Sequence, residues 1–378
     1  MKRIIFICIT ALYILISCND KKEVNAISSP NSVFSVRIGN NWGLVDTSCG
    51  FVLKPEFQYI GEFSDGFALI VRNQRYAYVN NTGKICVPFV YFAATDFSEG
   101  KAIVLDSLNR IHCIDTSFKV LFSLPDSVDE TGVFSEGLLP VMCKGKYGYY
   151  NNKGNLVIPY MYDLAGNFKE QVAPVGMMQS IKDSVFSQWY FIDKSGRKII
   201  DSVFHDAFSF HNGLAAVHLN SGDWGWINKS GKFPFGKQFQ ECKSFSEGFA
   251  AFKSGDLWGL MNNKGKTIVA PSYSGITDMN DGLSVISLGP QHCGYIDSAG
   301  KIFLNPDFKA ASKFTNHFSY VLKDNRVSIL SRSGRLICEE QFDGVPNFLG
   351  VELGFLESSM NLHLVKIKGD SLAVVPNP

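Results

Sequence analysis

The sequence is poor in the features that usually announce a function. Lys plus Arg number 36 and Asp plus Glu 35. No field of one sign therefore draws the chain to nucleic acid, and no nucleic-acid partner is expected. No GxSxG, HExxH, GxxxxGK(S/T) or glycine-rich phosphate loop occurs, so the usual signatures of hydrolase, metalloprotease and nucleotide sites are absent. There is no CxxC pair, and the seven histidines share no ligand spacing. A zinc site is not expected, and neither a metal nor a cofactor is implied. Nothing places a nucleophile, a base and an orienting group together, so the chain does not read as an enzyme. Beyond the first 16 residues no apolar run is long enough to cross a bilayer.

What is present begins at the N-terminus. Lys2 and Arg3 precede an apolar run from Ile4 to Ile16, the length of a secretory h-region. The run ends in Leu15-Ile16-Ser17-Cys18, which resembles a bacterial lipoprotein box. The resemblance implies that Cys18 is lipidated as the first mature residue. It makes 1–17 a signal peptide and 18–32 a flexible tether, and places the chain in the cell envelope, anchored to the outer membrane. Seven thiols then remain, an odd number, in a chain too long to need stapling. They read as small buried core residues.

The rest of the chain, which is 46% hydrophobic over its full length, is organised by repetition. The frame Trp42-Gly43-Leu44-Val45-Asp46 recurs at Tyr76, Ile111, Tyr147, Trp189, Trp224, Trp258, Cys293 and Val327, at intervals of 34 to 36 residues except one of 42. A second anchor follows 21 residues after the first, as Phe63, Phe97, Phe168, Phe210, Phe245, Met279, Phe314 and Phe348, with Phe134 at 23. Trp224-Gly225-Trp226-Ile227-Asn228-Lys229-Ser230-Gly231 and Trp258-Gly259-Leu260-Met261-Asn262 show the pattern best, with a later Pro such as Pro55, Pro159 or Pro271 and then Phe245-Ser246-Glu247-Gly248. On these residues the chain resembles the WG-repeat family over roughly 33 to 376. That family implies a repeat fold and little about function.

Within the frame both faces are apolar, as in a short strand buried on two sides. The second-position Gly is expected to let a neighbouring layer approach closely. Asn/Asp-x-x-Gly then turns the chain, and a second strand runs to the Pro. A third strand follows Phe-Ser-Glu-Gly. Three short strands in about 35 residues, with no helical period, predict an all-β array of about nine three-stranded antiparallel units. The basic column Lys84, Arg197, Lys232, Lys266, Lys301 and Arg335 disfavours a tight β-helix, where like charges would stack about 4.8 Å apart. A propeller-like array is expected over 33–347, as an open arc or superhelix slightly ahead of a closed ring. Residues 348–378 are a degenerate half-repeat cap that either completes the lone strand at 33–38 or stands apart.

Trp42, Trp189, Trp224, Trp226 and Trp258 all occupy core positions of the register, which sets a glycan-binding reading behind one of protein binding. The acidic column Asp65, Glu99, Glu136, Glu170, Glu247 and Asp281 reads as turn chemistry on a solvated edge. One insertion, Gly176 to Gln188, interrupts the spacing and carries Met177, Met178, Ile181, Val185 and Phe186. Apolar side chains on a loop need something to cover them, so this stretch is either a longer hairpin packed back on unit four of its own array or the candidate contact for an envelope protein. The chain as a whole reads as a binding or scaffold surface.

Overall fold

The computed structural model describes residues 33–342, apart from 182–183, 237–238 and 324–325, together with the strands Leu362–Ile367 and Ser371–Pro376. Cys18, the signal and tether segments and Phe348 lie outside the described residues. Among the described residues every regular element is a strand, and there is no helix.

The strands form nine small antiparallel sheets set in a ring, like a nine-bladed propeller. The blades cover 33–57, 59–80, 93–123, 128–162, 164–193, 206–228, 241–273, 275–308 and 310–342. Blade seven shows the plan. Phe249–Ser254 pairs with Leu257–Asn262, which pairs with Thr267–Tyr273, and a two-residue strand, Glu241–Cys242, closes the other edge. In blades two, five and six the last strand shrinks to isolated bridges such as Tyr76 with Tyr91 and Trp224 with Phe239. Each blade therefore joins the third strand of one sequence unit to the first two strands of the next. Leu362–Ile367 pairs with Val128–Thr131 of blade four on one side and with Ser371–Pro376 on the other, giving that sheet six strands. They do not complete Val33–Ile38, which pairs with Asn41–Asp46 in blade one.

The turns follow the expected chemistry. Asn262 Oδ1 accepts the N–H groups of Lys264 and Lys266 at 3.1 and 3.0 Å, and Gly265 takes a φ of 78°. Asn80, Asp115, Asn151, Asp193, Asn228 and Asp297 repeat the arrangement. Phe118 stands where the others have Gly and still adopts a φ of 65°. Its ring packs 5.4 to 5.8 Å from those of Phe67, Tyr78 and Phe97, contacts that offset the left-handed backbone.

The frame glycines serve a different purpose from the one expected. What approaches Gly259 is the last strand of its own sheet. Between the pairs Trp258–Tyr273 and Leu260–Val269 the register shifts, so two residues face four. The bulged backbone at Val269–Pro271 crosses over Gly259, and a Cβ there would lie 2.7 Å from the Val269 carbonyl oxygen. A bulge is also where a strand tolerates a Pro, since no ladder donor is needed.

Nine buried clusters hold the ring, each shared by two successive blades. Trp42, Leu44 and Phe57 meet Ile60, Ile70 and Val79 between blades one and two. Leu260 and Trp258 meet Ile276, Ile286 and Ile296 between blades seven and eight. Phe34, Val36 and Val45 of blade one meet Ala310, Val327 and Ile329 of blade nine, with the Phe34 and Phe318 rings edge to face at 5.0 Å. Both faces of most blades are thus buried, which accounts for the twin apolar faces of the repeat.

Candidate functional site

Polar contacts lock neighbouring blades. The acidic column lies in turns, as expected, at φ values of 49 to 54°. Its carboxylates are not simply solvated, however: each reaches the turn of the following blade. Glu247 accepts the N–H groups of Asp281 and Gly282 at 2.9 and 2.8 Å. Asp65 accepts that of Gly100, Glu99 those of Glu136 and Gly137, Glu136 that of Gln171, Glu170 that of Gly213, and Asp281 that of His317. Cations of the following blade add to this: Lys194 Nζ lies 3.4 Å from Glu136 and Lys229 Nζ 3.2 Å from Glu170. Backbone donors hold the Glu136 carboxyl below its ordinary range despite the opposing effect of burial. Four serines make a parallel set of links, Ser64, Ser98, Ser135 and Ser246 donating to the second-anchor carbonyl of the next blade at 2.6 to 2.8 Å. The third frame position does the same with its polar tip: Tyr78, Tyr149, Trp226 and Tyr295 donate to Thr95, Gly166, Lys243 and Ser312.

Of the five tryptophans placed in the core, Trp42, Trp226 and Trp258 are buried. Trp189 and Trp224 are only half-buried. The physical reason is the reduced last strand of blades five and six, which covers the start of the frame less fully. Among the cysteines, Cys113, Cys242 and Cys293 are buried thiols, as expected, while Cys86 and Cys143 are half-buried. Cys49 departs from the expectation: it is disulfide-bonded, and its Sγ lies 3.3 Å from the Ile337 carbonyl oxygen of blade nine.

The insertion is a hairpin extension. Val172–Ile181 and Ser184–Asp193 run 10 residues each, paired from Val172–Asp193 to Ile181–Ser184. Met177 packs against the cluster shared by blades four and five, and Phe186 is half-buried. Met178 is 45% exposed. The side chains of Ile181 and Val185 lie outside the described residues.

A cavity of about 590 Å³ opens among blades six to nine. It is lined by Phe208, His211, Trp224, residues 241–246, Thr277, Asp278, Asn280 and Lys313. Most of these stand within two residues of the second anchors Phe210, Phe245, Met279 and Phe314. One register position of four successive sheets converges only toward the inside of a ring, so the cavity lies along its inner face. Sequence reasoning missed it, since its residues come from four units. The signal was a broken column: the position after the anchor is Ser in blades two, three, four and seven, but His211 and Asn280 in blades six and eight. Burial, helped by the charge of Lys169, pushes the His211 pKa down. Burial pushes the Cys242 thiol well up, so this sulfur is no thiolate nucleophile near neutral pH. Elsewhere in the second-anchor register, burial and then the Glu62 charge push Asp96 up to about 6. Among the described residues no cluster of His, Cys, Asp and Glu would hold a metal ion. The cavity offers aromatic surface with donors and acceptors of both signs, an arrangement suited to holding a polar ligand.

A family described as a WG containing repeat matches seven segments, 42–76, 76–106, 147–177, 190–221, 224–258, 258–289 and 294–326. No curated relative matches the chain by sequence. A solved structure described as the eukaryotic initiation factor aligns with a TM-score of 0.59 at 11% identity, covering 84% of this chain and 97% of that one. BamB from Moraxella catarrhalis aligns at 0.34 and 13% identity, over 79% and 93% of the two chains. The WD40 β-propeller domain of Doa1 aligns at 0.31 and 10% identity, over 64% and 96%. At such identities the first likeness speaks to fold alone.

Proposed function

The chain belongs to the WG-repeat family, and on that premise we propose that it is a lipid-anchored protein of the cell envelope that binds a protein partner and performs no catalysis of its own. The Leu15-Ile16-Ser17-Cys18 box supports the anchor, a lipid on Cys18 in the outer membrane. The observation that carries the binding reading is the extended hairpin of blade five. Its 10-residue strands exceed the 5 or 6 residues of their counterparts in blades six and seven, and Met178 is exposed on it. Methionine suits an adaptable contact because its side chain is flexible and polarizable. Blades cross-linked by their acidic turns hold such a surface in one shape, which lowers the ordering cost of binding.

Two experiments test this. Shortening Gly176–Gln188 to the ordinary repeat spacing should leave thermal stability nearly unchanged and abolish capture of the partner from native envelope. Undiminished capture by the trimmed chain, or a collapse of its stability, sinks the docking role. For the anchor, Cys18→Ser should move the protein out of the membrane fraction or leave it uncleaved. A processed Cys18→Ser chain that still sediments with membranes would refute lipid attachment.

A further inference from the structure

We propose that the inner cavity of blades six to nine is a binding site for a saccharide, recognised through a pyranose ring. This goes beyond the protein-binding role of the blade-five hairpin, whose residues do not line the cavity.

The first argument is the aromatic surface. Phe208 is 44% exposed, and its ring stacks on Trp224 with centroids 5.5 Å apart and planes 25° apart. Trp224 in turn lies parallel to His218, at 4.8 Å and 6°. The stack follows from the sheet: His218 is cross-strand partner to both Trp224 and Asp206, and Phe208 stands two residues beyond Asp206, so all three rings rise from one face. A sugar ring presents a face of C–H groups that lies flat on such a platform and removes its apolar area from water.

The second argument is the polar lining. Sugar hydroxyls both donate and accept, so their site must supply both kinds of partner from fixed positions. Glu241 and Asp278 supply acceptors, Lys243 and Lys313 supply donors, and Asn280 supplies both. These residues belong to three blades. Blades seven and eight are joined by the Glu247 and Ser246 links, and blades eight and nine by Asp281, which accepts the His317 N–H, so the backbones that carry the set are positioned before a ligand arrives.

Other ligand classes fit the same lining less well. The two carboxylates oppose a phosphate or polyanion, and the two ammonium groups oppose a polyamine. An extended peptide would add to a sheet edge. The edges here are two-residue strands, Asp206–Ala207, Glu241–Cys242 and Gly275–Ile276, already paired on one side and too short to offer a ladder. A wholly apolar ligand would leave the charged groups without water. The volume lies within the range of small-molecule sites.

The test exposes the full chain to an array of hexose and N-acetylhexosamine oligosaccharides. The best binder is then titrated in solution while tryptophan fluorescence is followed. At least one saccharide should bind and perturb the emission. Phe208→Ala should weaken that binding by about tenfold or more, as loss of an aromatic anchor does. Asp278→Asn, which keeps the shape and removes the charge, should weaken it severalfold. Val120→Ala, at an exposed apolar residue of blade three, should leave it unchanged. Absence of binding across the array, or binding indifferent to both Phe208→Ala and Asp278→Asn, overturns the proposal. So does a peptide that competes with the saccharide more tightly than other sugars do.

Discussion

Gly259→Ala should destabilise the protein by about 3 kcal/mol, at the upper end of what overpacking usually costs. The added Cβ would meet the Val269 carbonyl oxygen at 2.7 Å, Phe252 Cζ at 2.9 Å and the Pro271 nitrogen at 3.0 Å. Two of these atoms are backbone held by a bulge, so the strand must move for the methyl to fit. The same collision awaits at Gly43, Gly148 and Gly294, where the nearest carbonyl oxygen is 2.5 to 2.7 Å away, and Gly294→Ala should cost as much. Gly50→Ala is the control: its nearest neighbours are side-chain oxygens at 3.4 to 3.5 Å, and a change within about 0.5 kcal/mol is expected. Chemical unfolding of the three variants measures the difference. A Gly259→Ala chain as stable as Gly50→Ala would show that the bulge yields and that the glycine is not fixed by sterics.

That glycine marks the boundary of what the sequence makes legible. The 34-to-36-residue frame, the Asx turns at Asn262 and its equivalents and the all-β array can be read from spacing and residue type, whereas the Pro expected to end the second strand lies inside it, at the bulge of Thr267–Tyr273. Each of the legible features is set within one unit. The partner of Gly259 is less legible, because a bulge depends on how two strands slide past one another. The acidic turns show the same limit. Glu247 reads as a turn residue and is one, but its carboxylate serves Asp281 and Gly282 in the next blade, 34 and 35 residues on. The inner cavity is further still from the linear pattern. Phe208, Lys243, Asp278 and Lys313 come together only because equivalent points of successive sheets converge inside a ring. A repeat analysis seeks what recurs, and a ligand site on a repeat scaffold is built where recurrence fails, as at His211 and Asn280.

The second large effect is expected at Trp226. It is 1% exposed, and its ring packs against Phe235, Phe239 and Phe245 at 5.0 to 6.1 Å. Its Nε1–H donates to the Lys243 carbonyl oxygen of blade seven at 2.8 Å. Trp226→Ala removes both the packing and the link, and should cost about 3–5 kcal/mol. Trp226→Phe keeps much of the packing and leaves a partly buried carbonyl without its donor, which should cost about 1 kcal/mol. Because stacked repeats stabilise one another mainly as nearest neighbours, hydrogen exchange should show the loss of protection centred on blades six and seven, with blade two, opposite them, least affected. Lys243 lines the cavity, so the same variant should also loosen the lining residues 241–246 without touching the blade-five hairpin. Uniform loss of protection around all nine blades would contradict nearest-neighbour stabilisation. A Trp226→Ala chain within about 0.5 kcal/mol of the parent would contradict the burial itself.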